Sequence, residues 1–301
     1  MHRIKDDLRS LLKNCKICPR DCGVHRIYKS GYCKGGMKIR INSCMKHLGE
    51  EPMISGHRGS GTIFMSNCNM HCLYCQNYTI SQLGYGREYT VEQVASMMLD
   101  LQAAGVHNIN FVTPTHFTLQ IREAIIKAKQ AGLSIPIVWN SNAYEHANLI
   151  RELEGLIDIF LPDFRYADCD AALKYSDAPD YPTFAQKALS EMHRQVGKIE
   201  LDADGIAQSG LLIRILLLPR DLNNIRGILT WIADNLGTET YISLMTQYYP
   251  TYKANEYSKI SRPIHASEYR EAVSLAEDIG FENGYFQGLG ITPEWTPDFK
   301  K

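Results

Sequence analysis

Three cysteines stand at C-x3-C-x2-C spacing in Cys68-Asn69-Met70-His71-Cys72-Leu73-Tyr74-Cys75, directly after the strand-like run Gly61-Thr62-Ile63-Phe64-Met65. An iron–sulfur cube normally takes four cysteine thiolates, so a compact loop offering three leaves one iron open to a ligand from outside the protein. A zinc site usually shows two separated ligand pairs, and isolated buried cysteines need no fixed spacing. Cys68, Cys72 and Cys75 are therefore read as ligands of a [4Fe–4S] cluster with one open position.

A second set lies upstream, where Cys15, Cys18, Cys22 and Cys33 follow C-x2-C-x3-C-x10-C spacing among Gly and Pro. Such a segment can fold around one metal ion or one cluster, and a zinc knuckle and a second iron–sulfur cluster explain the spacing equally well. The plain alternative is a covering lobe with reduced thiols. Cys44 and Cys169 are assigned to neither set.

These residues need a scaffold, and 301 residues with 45% hydrophobic content supply one large core, enough for an α/β barrel of about 250 residues with a small extension. Lys plus Arg (32) balances Asp plus Glu (33), so no global field argues for nucleic acid or an anionic membrane as partner. No apolar run reaches the ~18 residues of a membrane span, and Met1 to Leu8 lacks the apolar segment of a secretory signal. An odd cysteine count in a chain of this size fits metal-bound thiolates better than a disulfide framework, and a cytoplasmic location is expected.

From residue 61 onward, short apolar runs alternate with longer amphipathic ones, the pattern of βα units building a parallel sheet. Strands are predicted over 61–67, 108–113, 135–140, 156–161, 211–218 and 241–247. Thr90-Val91-Glu92-Gln93 reads as a capping box before Val91, Val94, Met98, Leu101 and Ala104 recur at helical spacing up to Gly105. The next helix repeats the plan with Ile121, Ile125 and Ala128 and closes at Gly132. Further helices are predicted over 144–154, 184–196, 223–236 and 267–279, with Tyr166 to Pro182 as the longest irregular connection. Six units are too few for a closed eight-stranded barrel, so the expected fold is an open partial (β/α)6 TIM-like barrel over 56–301, its site at the C-terminal strand ends, with a Cys-rich extension over 1–55. Gly84-Tyr85-Gly86 and Gly288-Leu289-Gly290 lack the strand-turn-helix setting of a dinucleotide fingerprint.

The three-cysteine loop, with Tyr74 before the third cysteine, resembles the signature of the radical S-adenosylmethionine (SAM) superfamily. The wider order of segments is similar to the pyruvate formate-lyase activating enzyme-like family of radical SAM proteins. It rests on Cys-x2-Cys-Pro-Arg-x-Cys, Gly31-Tyr32-Cys33, His47-x-Gly49-Glu50-Glu51-Pro52, Ser66-x-Cys68 through Gln76-Asn77, Val112 to His116, Leu161 to Phe164 and Ser261-Arg262. The resemblance implies that the open iron chelates the amino and carboxylate groups of SAM, that an electron cleaves the sulfonium, and that a 5′-deoxyadenosyl radical abstracts a substrate hydrogen atom. It also implies a reducing donor such as flavodoxin or ferredoxin, and a protein or peptide substrate whose glycine becomes a stable radical.

Under that resemblance Tyr74 packs near the adenine. Many superfamily members bind the SAM amino group with a Gly-Gly-Glu-like motif after the second strand; this chain has Thr113-Pro114-Thr115-His116. Thr113 and Thr115 become candidates for the SAM amino group, and His116 for a substrate contact or proton donor. Asn140 and Ser141 end the third strand, with Asn140 preferred for the ribose. Asp163 ends the fourth and either binds substrate or orients Arg214. Arg214 interrupts an apolar strand, and the SAM carboxylate and Asp163 are equally good partners for it. Gln247 is the candidate from the sixth strand. Competing functions are radical modification of a small molecule or another peptide, an electron-transfer protein in which Cys44 or an N-terminal cysteine completes the cluster, and a scaffold that binds SAM without cleaving it.

Overall fold

The computed structural model describes residues 6–288 and 299, so residues 1–5 and the pair Leu289-Gly290 lie outside the described residues. Among the described residues ten strands share one sheet system: β1 Ile39–His47, β2 Ser60–Met65, β3 Arg87–Tyr89, β4 Ile109–Val112, β5 Ile137–Asn140, β6 Ile159–Phe160, β7 Glu200–Leu201, β8 Ala207–Leu216, β9 Tyr241–Met245 and β10 Gly284–Phe286. Their order is β10-β9-β8-β6-β5-β4-β2-β1-β3, with β7 paired to β8. The run from β2 through β10 is parallel throughout, and β1 and β3 add antiparallel to the β2 side. The protein is thus an α/β fold with a mostly parallel sheet, its two ends left unjoined as the six predicted units require.

Helices cover the sheet at Val91–Ala103, Thr118–Gln130, Ala147–Arg151, Tyr181–Val196, Ile225–Leu236 and Ala266–Ile279. The predicted capping box at Thr90 forms in both directions with Gln93. Every residue of β2, β4 and β5 is buried, as expected of parallel strands covered on both faces. The helix Ile225–Leu236 buries Ile225, Ile228, Leu229, Ile232 and Leu236, one apolar stripe at helical spacing.

Four strands fall outside the predicted set. β7 and β10 are only two and three residues long, too short for alternation to register, and β3 is no longer than β10. β1 is different: its Ile39 and Ile41 are buried with an intervening half-exposed residue, so period-2 alternation was present at its start. The connection 166–182 is not irregular. It contains a helix at Cys169–Ser176 whose N-cap Asp168 accepts from the Ala171 N–H at 2.9 Å, and Pro182 lies in the first turn of the next helix. The helix expected over 144–154 is shorter: Tyr144 gives its carbonyl to Asn69 at 2.7 Å, and the Glu145 carboxylate accepts from Thr115, Trp139 and Ser141.

Parallel strands bring their C-terminal ends to one edge of the sheet. There β2 leads into Cys68, β4 into Thr113, β5 ends on Asn140, β6 leads to Asp163, β8 carries Arg214 and β9 leads to Gln247.

Candidate active site

Loop 68–75 is held from below by backbone bonds to the helix Cys169–Ser176. Leu73 donates to the Tyr175 carbonyl at 2.9 Å and His71 to that of Ser176 at 3.3 Å, while Leu73 accepts from Lys253 at 2.9 Å. Cys68, Cys72 and Cys75 line one small cavity of about 90 Å³ together with Thr113, Asn140, Ser141, Asn142, Asp163, Arg165 and Arg214. All three thiols are free, and no other cysteine lines that cavity. Cys44 sits opposite Ile63 on β1 and is influenced by Asp100 on the helix that covers it.

Each of the three sulfurs meets a polar hydrogen. Cys68 Sγ accepts from Asn142 Nδ2 and from the Met70 N–H, both at 3.4 Å. Ser176 Oγ donates to Cys72 Sγ at 3.0 Å, and Ser81 Oγ lies 3.1 Å from Cys75 Sγ. Burial pushes the Cys68 thiol up to about 12 and that of Cys75 to about 11. Left alone these groups stay protonated; bound metal removes the proton outright.

Beside the cysteines opens a larger cavity of about 550 Å³, lined by Glu50, Tyr74, Gln76, Gln247 and residues of the smaller one, Cys75, Asn77, Asn140, Asp163, Arg165 and Arg214 among them. A third cavity of about 590 Å³, around Arg220, Asp221 and Glu271, holds no cysteine, and the donor chemistry assigns the site to the first two.

At the floor of this cleft each of the three guanidinium nitrogens of Arg214 donates to protein. Nε donates to Asp163 Oδ1 at 2.9 Å, Nη1 to Glu50 Oε2 at 3.1 Å and Nη2 to Asn140 Oδ1 at 2.6 Å. Asn140 Nδ2 returns to Glu50 Oε1 at 3.3 Å, and Asn110 Nδ2 adds a bond to it at 2.9 Å. Burial raises the Glu50 carboxyl, with Arg214 pulling against it, and Glu51 behind it is raised for the same reason. Arg165 donates through Nη2 to Asp163, but its buried Nε has no partner, although the residue lines both cavities.

Of the residues singled out in the sequence, Tyr74, Asn140, Asp163, Arg214 and Gln247 meet in the larger cavity and Thr113 and Ser141 line the smaller. Tyr74 is buried with its hydroxyl 2.6 Å from that of Tyr166, which continues through Ser176 to Cys72. Thr113 has a left-handed backbone with φ 59°, strained for a β-branched residue. Ser141 donates to Glu145, and Thr115 gives its hydroxyl to the same carboxylate at 3.0 Å. Thr115 and His116 line neither cavity. His116 is fully buried; its Nε2 lies 2.9 Å from the Ser66 carbonyl, and burial holds its pKa down to about 3, so it is neutral and tied to the scaffold. Cys15, Cys18, Cys22 and Cys33 lie outside both cavities.

Glu50 and Arg165 were missed. Glu50 reaches the site only through the pairing of β1 with β2, though two acids before Pro52 were a local signal. Arg165 stands two residues beyond Asp163, hence on the same side of an extended segment.

Residues 62–169 match the family model described as Radical SAM superfamily. Two uncharacterized proteins of Methanocaldococcus jannaschii are similar over most of the chain. MJ0674 is 29% identical over 284 residues, covering 91% of this chain and 77% of the relative. MJ0808 is 21% identical over 295 residues, covering 90% and 78%. Among solved structures, Streptococcus suis SuiB bound to precursor peptide SuiA aligns at TM-score 0.49 and 11% identity, over 74% of this chain and 47% of that one. HydG, a maturase of the [FeFe]-hydrogenase, aligns at TM-score 0.49 and 14% identity, over 78% and 53%. The chain thus spans about half the length of each of these two structures. The matching segment begins in β2 and takes in the three-cysteine loop, Thr113, Asn140 and Asp163: residues 62–169 carry a Radical SAM superfamily domain.

Proposed function

We propose that this chain is a radical SAM enzyme that takes a hydrogen atom from the Cα of a glycine in a partner protein or peptide. The observation that carries the reading is the adjacency of the two cavities: the space ringed by the three cysteines and the larger cleft share the walls formed by Cys75, Asn77, Asn140, Asp163, Arg165 and Arg214. A fourth cysteine in the small cavity would have favoured an electron-transfer protein, and among the described residues none is there.

Members of the superfamily use a [4Fe–4S] cluster and SAM, and the residues present fit both. Cys68, Cys72 and Cys75 would hold the cluster, with Asn142, the Met70 N–H, Ser176 and Ser81 as donors to the sulfurs, the outer shell that tunes such centres. The unpartnered Nε of Arg165 is a donor suited to a carboxylate. When bound, the two cofactors supply one-electron cleavage of a sulfonium C–S bond and hydrogen-atom abstraction, the electron coming from a low-potential donor such as flavodoxin or ferredoxin.

A peptide is favoured because the cleft opens to solvent and presents amide side chains, Gln76, Asn77 and Gln247, that can bond an extended backbone. Anaerobic, reduced protein supplied with SAM and a panel of peptides with α-deuterated glycine is expected to return deuterium in 5′-deoxyadenosine. Label from no glycine peptide, together with stimulation by small metabolites, would replace this reading with small-molecule modification.

A further inference from the structure

We infer that Cys15, Cys18, Cys22 and Cys33 ligate a second iron–sulfur cluster, closed by four protein thiolates. The four thiols are free; Cys15 and Cys33 both meet the Arg26 guanidinium, and Cys22 packs its sulfur against Gly31, two residues before Cys33. The inference stands whether or not the loop 68–75 cleaves SAM.

The local backbone repeats that of the first site. At Cys68 and Cys75 the N–H two residues ahead, of Met70 and Asn77, turns back onto the sulfur. The same bond forms from Arg20 to Cys18 and from Gly35 to Cys33, the latter at 3.4 Å. Glycine gives the chain close approach to two of these sulfurs. A Cβ on Gly31 would lie 2.6 Å from Cys22 Sγ, and one on Gly35 would lie 3.3 Å from Cys33 Sγ and 3.4 Å from the His116 ring. Chain that wraps so closely around thiols is built to present them inward.

Charge gives the second argument. Arg26 is only 4% exposed and, among the described residues, pairs with no carboxylate. It donates from Nε to Cys15 Sγ at 3.2 Å, from Nη2 to Cys33 Sγ at 3.7 Å and from Nη1 to the His116 carbonyl at 2.6 Å. A buried guanidinium facing neutral thiols is costly; facing metal-bound thiolates it is paired. The lobe has only a small apolar cluster, Leu12, Cys15, Ile17 and Leu149, so metal would also supply cohesion.

The choice of a cluster over a zinc ion follows from the likeness to the first loop: the turn that brings an N–H two residues ahead back onto a cysteine sulfur forms at Cys68 and Cys75 and again at Cys18 and Cys33. With four protein ligands the second cluster has no open iron, which leaves it cohesion or single-electron transfer. Its lobe is fastened to the first loop: Arg20 Nε donates to the Asn69 carbonyl at 2.8 Å, and Tyr32 stacks on His71 at 4.0 Å.

The test is iron, acid-labile sulfide and zinc per chain in anaerobically reconstituted protein. A Cys68/Cys72/Cys75→Ala variant is expected to keep about two to four iron atoms per chain and to lose them when Cys15→Ser and Cys18→Ser are added. In the triple-alanine background Arg26→Met is expected to keep the iron but lower its midpoint potential, since donors to sulfur stabilise the reduced state. If the Cys15 and Cys18 variants fail to fold, the triple-alanine protein still decides. No iron in it, or stoichiometric zinc in place of iron, overturns the inference; iron with an unchanged potential on losing Arg26 removes that residue's part.

Discussion

Replacing Arg214 by methionine probes the charge network at the floor of the cleft. The guanidinium contacts two carboxylates, Asp163 at 2.9 Å and Glu50 at 3.1 Å, and the Asn140 carbonyl oxygen at 2.6 Å. At an effective dielectric of 20 an ion pair about 4 Å apart is worth about 4 kcal/mol, so two give about 8 kcal/mol gross, most of it offset by desolvation. What the substitution measures is the cost of stranding buried carboxylates, about 3–5 kcal/mol. The cost depends on pH with a definite sign. Burial already raises Glu50 with Arg214 opposing it, and without the arginine its folded-state pKa rises further above the unfolded value of about 4.3. A carboxyl raised on folding binds its proton more tightly in the folded state, so the variant loses stability as pH rises through that folded value. Anaerobic urea unfolding followed by circular dichroism should show a larger deficit at pH 8 than at pH 5.5, and adding Glu50→Gln should recover part of it at pH 8. A deficit under about 1 kcal/mol, or one that ignores pH, would refute the network as described.

Arg165→Leu should leave iron content unchanged and weaken SAM binding in equilibrium dialysis by about tenfold or more, the loss of one charge-assisted contact; unchanged binding would free Arg165 from the site. At Thr113, Thr113→Gly should melt no lower than Thr113→Val, because glycine relieves the left-handed backbone that costs a β-branched residue about 1–2 kcal/mol; a more stable valine variant would contradict the strain. Glu268, pulled down to about 2 by hydrogen bonds from Arg262 at 2.7 and 2.8 Å, contributes stability above the unfolded pKa and loses it as pH falls toward 2. Glu268→Gln should therefore cost about 1 kcal/mol at pH 7 and little at pH 2, and a difference flat across that range would remove the ion pair's role.

The sheet was legible where strands are long, apolar and buried on both faces: the runs around Ile63, Phe111, Val138, Ile159, Ile213 and Leu244 announced six of the seven parallel strands. β10 escaped because three residues carry no period. The helix Cys169–Ser176 escaped because its breakers were read together as loop, although Asp168 is an ordinary cap. In the site, chemistry that depends on spacing along the chain was legible, the cysteines above all. Chemistry that depends on contacts across the fold was not. Arg214 interrupting an apolar strand signalled that a partner existed, but Glu50 lies 164 positions away, and the two acids before Pro52 did not say which strand they would meet. Thr115 and His116 looked like site residues because they follow a strand, yet the turn after β4 carries them into contacts with Glu145 and the Ser66 carbonyl.

Formation of 5′-deoxyadenosine tests the central claim most directly. Anaerobically reconstituted wild-type protein, reduced by a low-potential donor and supplied with SAM, should form it, and the Cys68/Cys72/Cys75→Ala variant should not. Product at equal rates from both, or none from wild-type protein that holds its cluster and is offered glycine peptides and small metabolites alike, would contradict radical SAM chemistry at this loop.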